Sequence, residues 1–199
     1  MLTKKRLYQI NSSRILQYIR LNRGTSRIRA ASELDLDRST LTKVVRFLVN
    51  RGLVRECGKY RGKPGVGRMA IGLELDPGFG LVLGVEVQTE AFRWVLVDLF
   101  GTPVDSGRRD IGGSGLSLET EIPTLFREVS EESTRRDGRA IIGLGIGLSG
   151  IVDPYRGTVI HSYPLGIADP INLRDSVERA IGVPVFVEND ANCCCWSEM

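Results

Sequence analysis

The chain has 199 residues, 42% apolar and 26% charged, proportions that exclude wholesale disorder. No apolar run approaches the roughly 20 residues of a membrane helix, and residues 1–11 lack the apolar core of a signal peptide, so a cytoplasmic protein is expected. The net charge of +3 hides a division: residues 1–75 hold 17 of the 27 Lys and Arg but 5 of the 24 Asp and Glu, and the rest of the chain is acidic, which points to a nucleic-acid reader joined to another body.

In chain order, Asn11-Ser12-Ser13 can cap a first helix with the apolar stripe Ile15, Leu16 and Ile19, ending near Gly24. A second short helix is expected over 27–34, with Ile28, Ala31 and Leu34 on one face. Asp37 is a good N-cap for a third, whose stripe is Leu41, Val44, Val45, Leu48 and Val49 and which closes at Gly52. Burying that stripe turns Arg38, Ser39, Thr40, Thr42, Lys43 and Arg46 outward, residue types suited to phosphate oxygens and base edges. Periodicity then switches to strands over 53–56 and 68–75, the latter alternating Met69, Ile71, Leu73 and Leu75. Between them lies a flexible cationic tip with Lys59, Arg61, Lys63 and, at the second strand, Arg68. Helix, turn, helix and basic hairpin in this order predict a winged helix-turn-helix over residues 1–77 that binds double-stranded DNA. A helical interaction module with a solvated basic loop is the bland alternative.

Leu75-Asp76-Pro77-Gly78 is a turn signal and the expected domain boundary. Beyond it, strands are expected over 81–88, 92–99 and 104–110, a helix over 116–136, a buried strand over 141–148, a helix over 173–181 and a strand over 183–187. A meander followed by alternating helices and strands indicates an α/β domain over 78–199. Cys193, Cys194 and Cys195 are consecutive and suit neither a disulfide framework nor a zinc knuckle. They read as small buried side chains on a helix, and no metal ligand set is expected.

Gly145-Ile146-Gly147-Leu148-Ser149-Gly150-Ile151-Val152-Asp153, then Gly157-Thr158-Val159, then Pro184 to Asn192 with Glu188-Asn189-Asp190, resemble the ROK family of repressors, unassigned reading frames and sugar kinases. A winged helix in front of these motifs resembles the family's regulators. The resemblance implies that residues 78–199 form the first lobe of an actin-like (ribonuclease-H-like) sugar-kinase-type domain, cut before the second lobe. It also implies a sugar site at Ser149, Gly150, Asn189 and Asp190, and a homodimer or higher oligomer. The family's zinc site would lie beyond residue 199, so no cofactor is expected within the chain. Carboxylate beside carboxamide suits vicinal hydroxyls. Without the resemblance, Asn189 and Asp190 read as helix caps.

Family kinases carry a glycine-rich phosphate turn where this chain has Gly84-Val85-Glu86-Val87-Gln88-Thr89-Glu90. Both turn glycines are missing, and Glu90 adds negative charge where phosphates would sit. The expectation is therefore a sugar-responsive transcriptional regulator, a repressor, with no catalytic residue. A hexose kinase using ATP and carrying a DNA-binding head is the alternative from the enzyme class. A DNA-binding protein with no effector is a third reading.

Overall fold

Helix α1 covers Lys4–Leu21 and so begins well before the expected cap. The Ser12 hydroxyl donates to the Tyr8 carbonyl at 2.8 Å, and Asn11 is buried. The polar trio is thus absorbed into a continuing helix instead of opening one. After β1 (Thr25–Ser26), Ser26 caps α2 (Arg27–Glu33) by accepting from the Arg29 amide at 3.2 Å. This short helix packs through Ala30 and Ala31, which bring it close to its neighbours and rotate Ile28 to solvent, contrary to expectation.

Helix α3 (Arg38–Asn50) buries Leu41, Val44, Val45 and Leu48, and Gly52, at φ +77°, turns the chain out of it. Strands β2 (Val54–Tyr60) and β3 (Ala70–Leu75) pair antiparallel, and β1 adds to the far side of β3, giving the order β1-β3-β2. Leu73 and Leu75 point into the core, but Ile71 is half exposed. It lies one residue past the last β1 pair, at the free end of the ribbon. The computed structural model describes residues 4–60, 70–111 and 117–197. Arg61, Lys63 and Arg68 of the expected wing fall outside the described residues.

The chain divides into two units, Met1–Phe79 and Gly80–Met199. In the second, β4 (Leu81–Val87), β5 (Ala91–Val97) and β6 (Pro103–Asp110) form an antiparallel meander. Helix α4 (Leu118–Arg136) leads to β7 (Ile141–Leu148), parallel to β4, and α5 (Leu173–Ile181) leads to β10 (Val185–Asn189), parallel to β7. Between β7 and α5 lies a small ribbon of β8 (Ile151–Asp153) and β9 (Thr158–His161). The result is a mixed five-stranded sheet, β10-β7-β4-β5-β6, in an α/β layer arrangement.

One face of the sheet carries Leu83, Val85, Leu144, Ile146, Val185 and Val187, packed with Ile122, Leu125 and Val177 of α4 and α5. The last helix, α6 (Asp190–Ser197), follows β10 directly. Register decides where the loops emerge. Asn189 pairs with Leu148, so Ser149-Gly150 and Asp190 leave the sheet side by side at the carboxyl ends of two parallel strands. Such strand ends are where open α/β sheets place ligands.

Candidate functional site

The first candidate surface is the outer face of α3. Asp37 holds that helix by accepting from the Ser39 and Thr40 amides at 3.0 and 2.8 Å. These two amide bonds hold its carboxyl well below the usual carboxylate range. Arg38, Lys43 and Arg46 stand exposed, and none has an acidic partner among the described residues. Some cations on neighbouring elements of the same unit are engaged: Arg27 pairs with Glu56 at 2.8 Å, Arg55 with Glu74 at 2.6 Å, and Arg14 donates to the Leu34 carbonyl. Three cations without an acidic partner among the described residues thus share the exposed side of one helix, an arrangement that suits an anionic ligand.

Two expected contributors on α3 have other engagements. The Ser39 hydroxyl donates to Asp37 at 2.8 Å, and Thr40 and Thr42 are half-buried. Further along the same helix, Phe47 meets Tyr8 edge-on at 6.1 Å, and the Arg51 guanidinium lies 5.3 Å from its ring centre. Lys59 lies in β2, at its antiparallel pairing with β3.

The second candidate surface is the end of β7 and β10. The Ser149 and Gly150 carbonyls are each held by a side chain from another element. Ser162, fully buried, donates to Ser149 O at 2.6 Å, and Asn189 Nδ2 donates to Gly150 O at 2.8 Å. Gly150 adopts φ +149°, and a Cβ there would sit 2.5 Å from the His161 carbonyl, so only glycine fits. The Asn189 side-chain oxygen Oδ1 accepts from the Ala191 and Asn192 amides at 2.9 and 3.3 Å, which starts α6. Ser149, Gly150 and Asn189 are therefore brought together, with most of the Asn189 carboxamide already used.

Asp190 faces a different space. It lines a hollow of about 530 Å³ with Glu86, Glu188 and Cys193, floored by Gly145 and Gly147. A larger cleft of about 630 Å³ lies between the β4–β5 turn, the start of α4 and the loop after Ser162, lined by Gln88, Glu90, Ile111, Leu118, Pro164 and Ile167. Carboxylate, carboxamide and apolar walls in one cleft can hold the hydroxyls and the flat faces of a small polar molecule.

Cys193, Cys194 and Cys195 do lie on a helix, but they are exposed, contrary to expectation. α6 sits on the sheet face opposite α4 and α5, where no further layer of described residues covers it. Burial against that face, with Glu188 adding to it, pushes the Cys193 thiol up, so it is no ready nucleophile. No cluster able to hold a metal ion occurs among the described residues. Sequence reasoning missed Ser162 and also Arg174, whose guanidinium donates to the Tyr155 carbonyl at 2.8 Å and to the Pro154 carbonyl. Neither residue sits in a motif. Each matters only because the fold brings distant turns to it.

A family model described as the ROK family matches residues 84–199. The chain belongs to the ROK family. Among curated relatives, the xylose repressor of Caldicellulosiruptor bescii is 27% identical over 94% of this chain, and that of Bacillus subtilis 27% over 96%. These matches cover 46% and 48% of the repressors, so the chain spans about half the length of the curated relatives it matches. The glucokinase of Streptomyces coelicolor is 34% identical, over 51% of this chain and 34% of its own. A solved ROK family transcriptional regulator, described as a homologue of the E. coli MLC protein, superposes with a TM-score of 0.77 at 24% identity. It covers 96% of this chain and 48% of its own, and so shares the fold. No described helix is long and apolar enough to cross a membrane.

Proposed function

We propose that this chain is the DNA-binding and effector-sensing half of a sugar-responsive transcriptional repressor. The observation that carries the reading is coverage. Likeness to the xylose repressors runs through both units, including the basic one, whereas the glucokinase match spans about half of the chain. On this reading the first unit is a winged helix-turn-helix. α3 enters the major groove with Arg38, Thr42, Lys43 and Arg46, while Ser39 and Thr40 fix its start. Lys59, Arg61, Lys63 and Arg68 belong to the wing that follows the backbone. Two copies, in a homodimer, would read a pseudo-palindromic operator.

The second unit is the first lobe of an actin-like domain that senses the sugar. The class of effector is suggested by the relatives' names: a pentose such as D-xylose. Ser149 and Gly150 offer backbone and hydroxyl contacts, Asp190 a carboxylate, and Asn189 orients that group more than it contacts ligand. No cofactor is required for this role.

One observation favours a second reading, a sugar kinase with a DNA-binding head: the 34% identity to a glucokinase over about half of the chain. Against it, the β4–β5 hairpin turns tightly through Thr89 and Glu90, the Gln88 amide donating to Ala91 O at 2.9 Å. That turn has no glycine to admit phosphates to its amides, and Glu90 is exposed at its tip.

The test is promoter-fragment binding by the full-length protein at low ionic strength, with and without D-xylose and a panel of hexoses. Binding weakened by a sugar is the expected result. Failure to bind any such fragment, or ATP-dependent sugar phosphorylation abolished by Asp190→Asn, overturns it.

A further inference from the structure

We infer that Ser162 is a positioning residue that joins the wall of the larger cleft to the start of α6. The inference rests on the effector reading above and deepens it. Ser162 is fully buried and bonds both to its own following loop and to the end of β7. Its amide donates to the Ile167 carbonyl at 3.0 Å, and the Ile167 amide returns a bond to the Ser162 carbonyl at 2.9 Å. Those two bonds close the loop 163–166, and Pro164, Leu165 and Gly166 of that loop line the cleft.

The Ser162 hydroxyl donates outward to Ser149 O at 2.6 Å. The next carbonyl, Gly150 O, accepts from Asn189 Nδ2, and the side-chain oxygen Oδ1 of the same carboxamide accepts from the Ala191 and Asn192 amides, the former shared with Asp190 Oδ1. A displacement of the cleft loop is thereby passed through Ser149-Gly150 to the first turn of α6, which begins with Asp190. Gly150 cannot absorb the displacement by sliding, since His161 O and Ser162 lie against its Cα hydrogens. Close packing on both sides makes the link stiff. A small polyhydroxylated molecule that contacts Ser149-Gly150 and Asp190 is thereby tied to the cleft loop by this route.

The experiment uses the full-length protein with Ser162→Ala and Ser162→Cys. Cysteine keeps the volume and donates only weakly, so it separates the hydroxyl's bond from its bulk. Amide hydrogen exchange is followed without ligand at Ile167, Ala191 and Asn192, with α4 amides as the internal reference, and D-xylose affinity is measured by calorimetry. Both variants are expected to speed exchange at Ala191 and Asn192 about tenfold relative to α4. Both are also expected to weaken D-xylose binding about tenfold.

Unchanged exchange at Ala191 and Asn192 in Ser162→Ala overturns the link, as does a Ser162→Cys protein that behaves as wild type. If the wild type binds no sugar, the effector reading fails alone, and the exchange arm still decides on the link. If the wild type binds D-xylose and both variants bind it equally well, the cleft is not coupled through Ser162.

Discussion

Asp37 makes part of the basic unit's stability sensitive to acid. Its carboxylate accepts two backbone amides and the Ser39 hydroxyl, so its protonation is deferred to a pH well below the ordinary 3.8. A lowered folded value means that its contribution to stability is complete above the ordinary value and is lost as pH falls through the folded one. Thermal melts should therefore show the basic unit weakening progressively below pH about 4. Asp37→Asn, which retains a good cap but no charge to lose, should flatten that dependence. Asp37→Ala should lower the melting temperature at neutral pH as well. A wild-type profile in acid no steeper than that of Asp37→Asn would assign the sensitivity to another group. Gly150 makes a different point at this scale: its backbone angle and the 2.5 Å approach of His161 O forbid a side chain where the two parallel strands end.

At the scale of elements, α3 divides into a buried stripe and an uncompensated cationic face, and DNA affinity should follow the second. Arg46→Ala is expected to weaken operator binding by about 1–3 kcal/mol. Arg179→Ala, exposed on α5 in the acidic unit, should have little effect, as judged by fluorescence anisotropy on the same duplex. Equal losses would mean that bulk charge governs binding. The same element shows what could be read from sequence. Leu41, Val44, Val45 and Leu48 recur at helical spacing within a thirteen-residue helix between an N-cap and a glycine, so pattern and cap agree with the structure. Asn11-Ser12-Ser13 looked like an equally good cap, but whether a serine hydroxyl bonds forward or back to Tyr8 O is decided by what precedes it. Ile28 and Ile71 were misplaced because seven- and six-residue elements carry too few repeats to define a face. β1, β8 and β9 are shorter still: β1 exists through pairing with the distant β3, and β8 and β9 pair with each other across a short turn. Of the carboxyl-end site, the Glu188-Asn189-Asp190 run was legible. The use of Asn189 by Gly150, 39 residues away, was not, because no local pattern encodes it.

Across the whole molecule, the proposed repressor joins a cationic unit to an acidic one, and the two ligands it would serve are a polyanion and a neutral sugar. A sugar cannot compete with phosphate for the same groups, so its influence on DNA must be a coupling free energy between separate sites. Coupling is reciprocal. If D-xylose weakens operator affinity by some factor, typically about 5–150-fold, saturating operator must weaken D-xylose affinity by the same factor. Measuring both arms at one ionic strength tests this whatever form the conformational change takes. The ionic strength has to be shared, because each phosphate contact contributes about −0.9 to the slope of log affinity against log salt. Factors that agree, in a protein whose salt slope does not change with sugar, would mean that the sugar alters the population of competent heads and leaves each head's phosphate contacts intact. A sugar effect on DNA with no return effect of DNA on sugar breaks the cycle, and would trace the apparent response to a second molecule in the preparation.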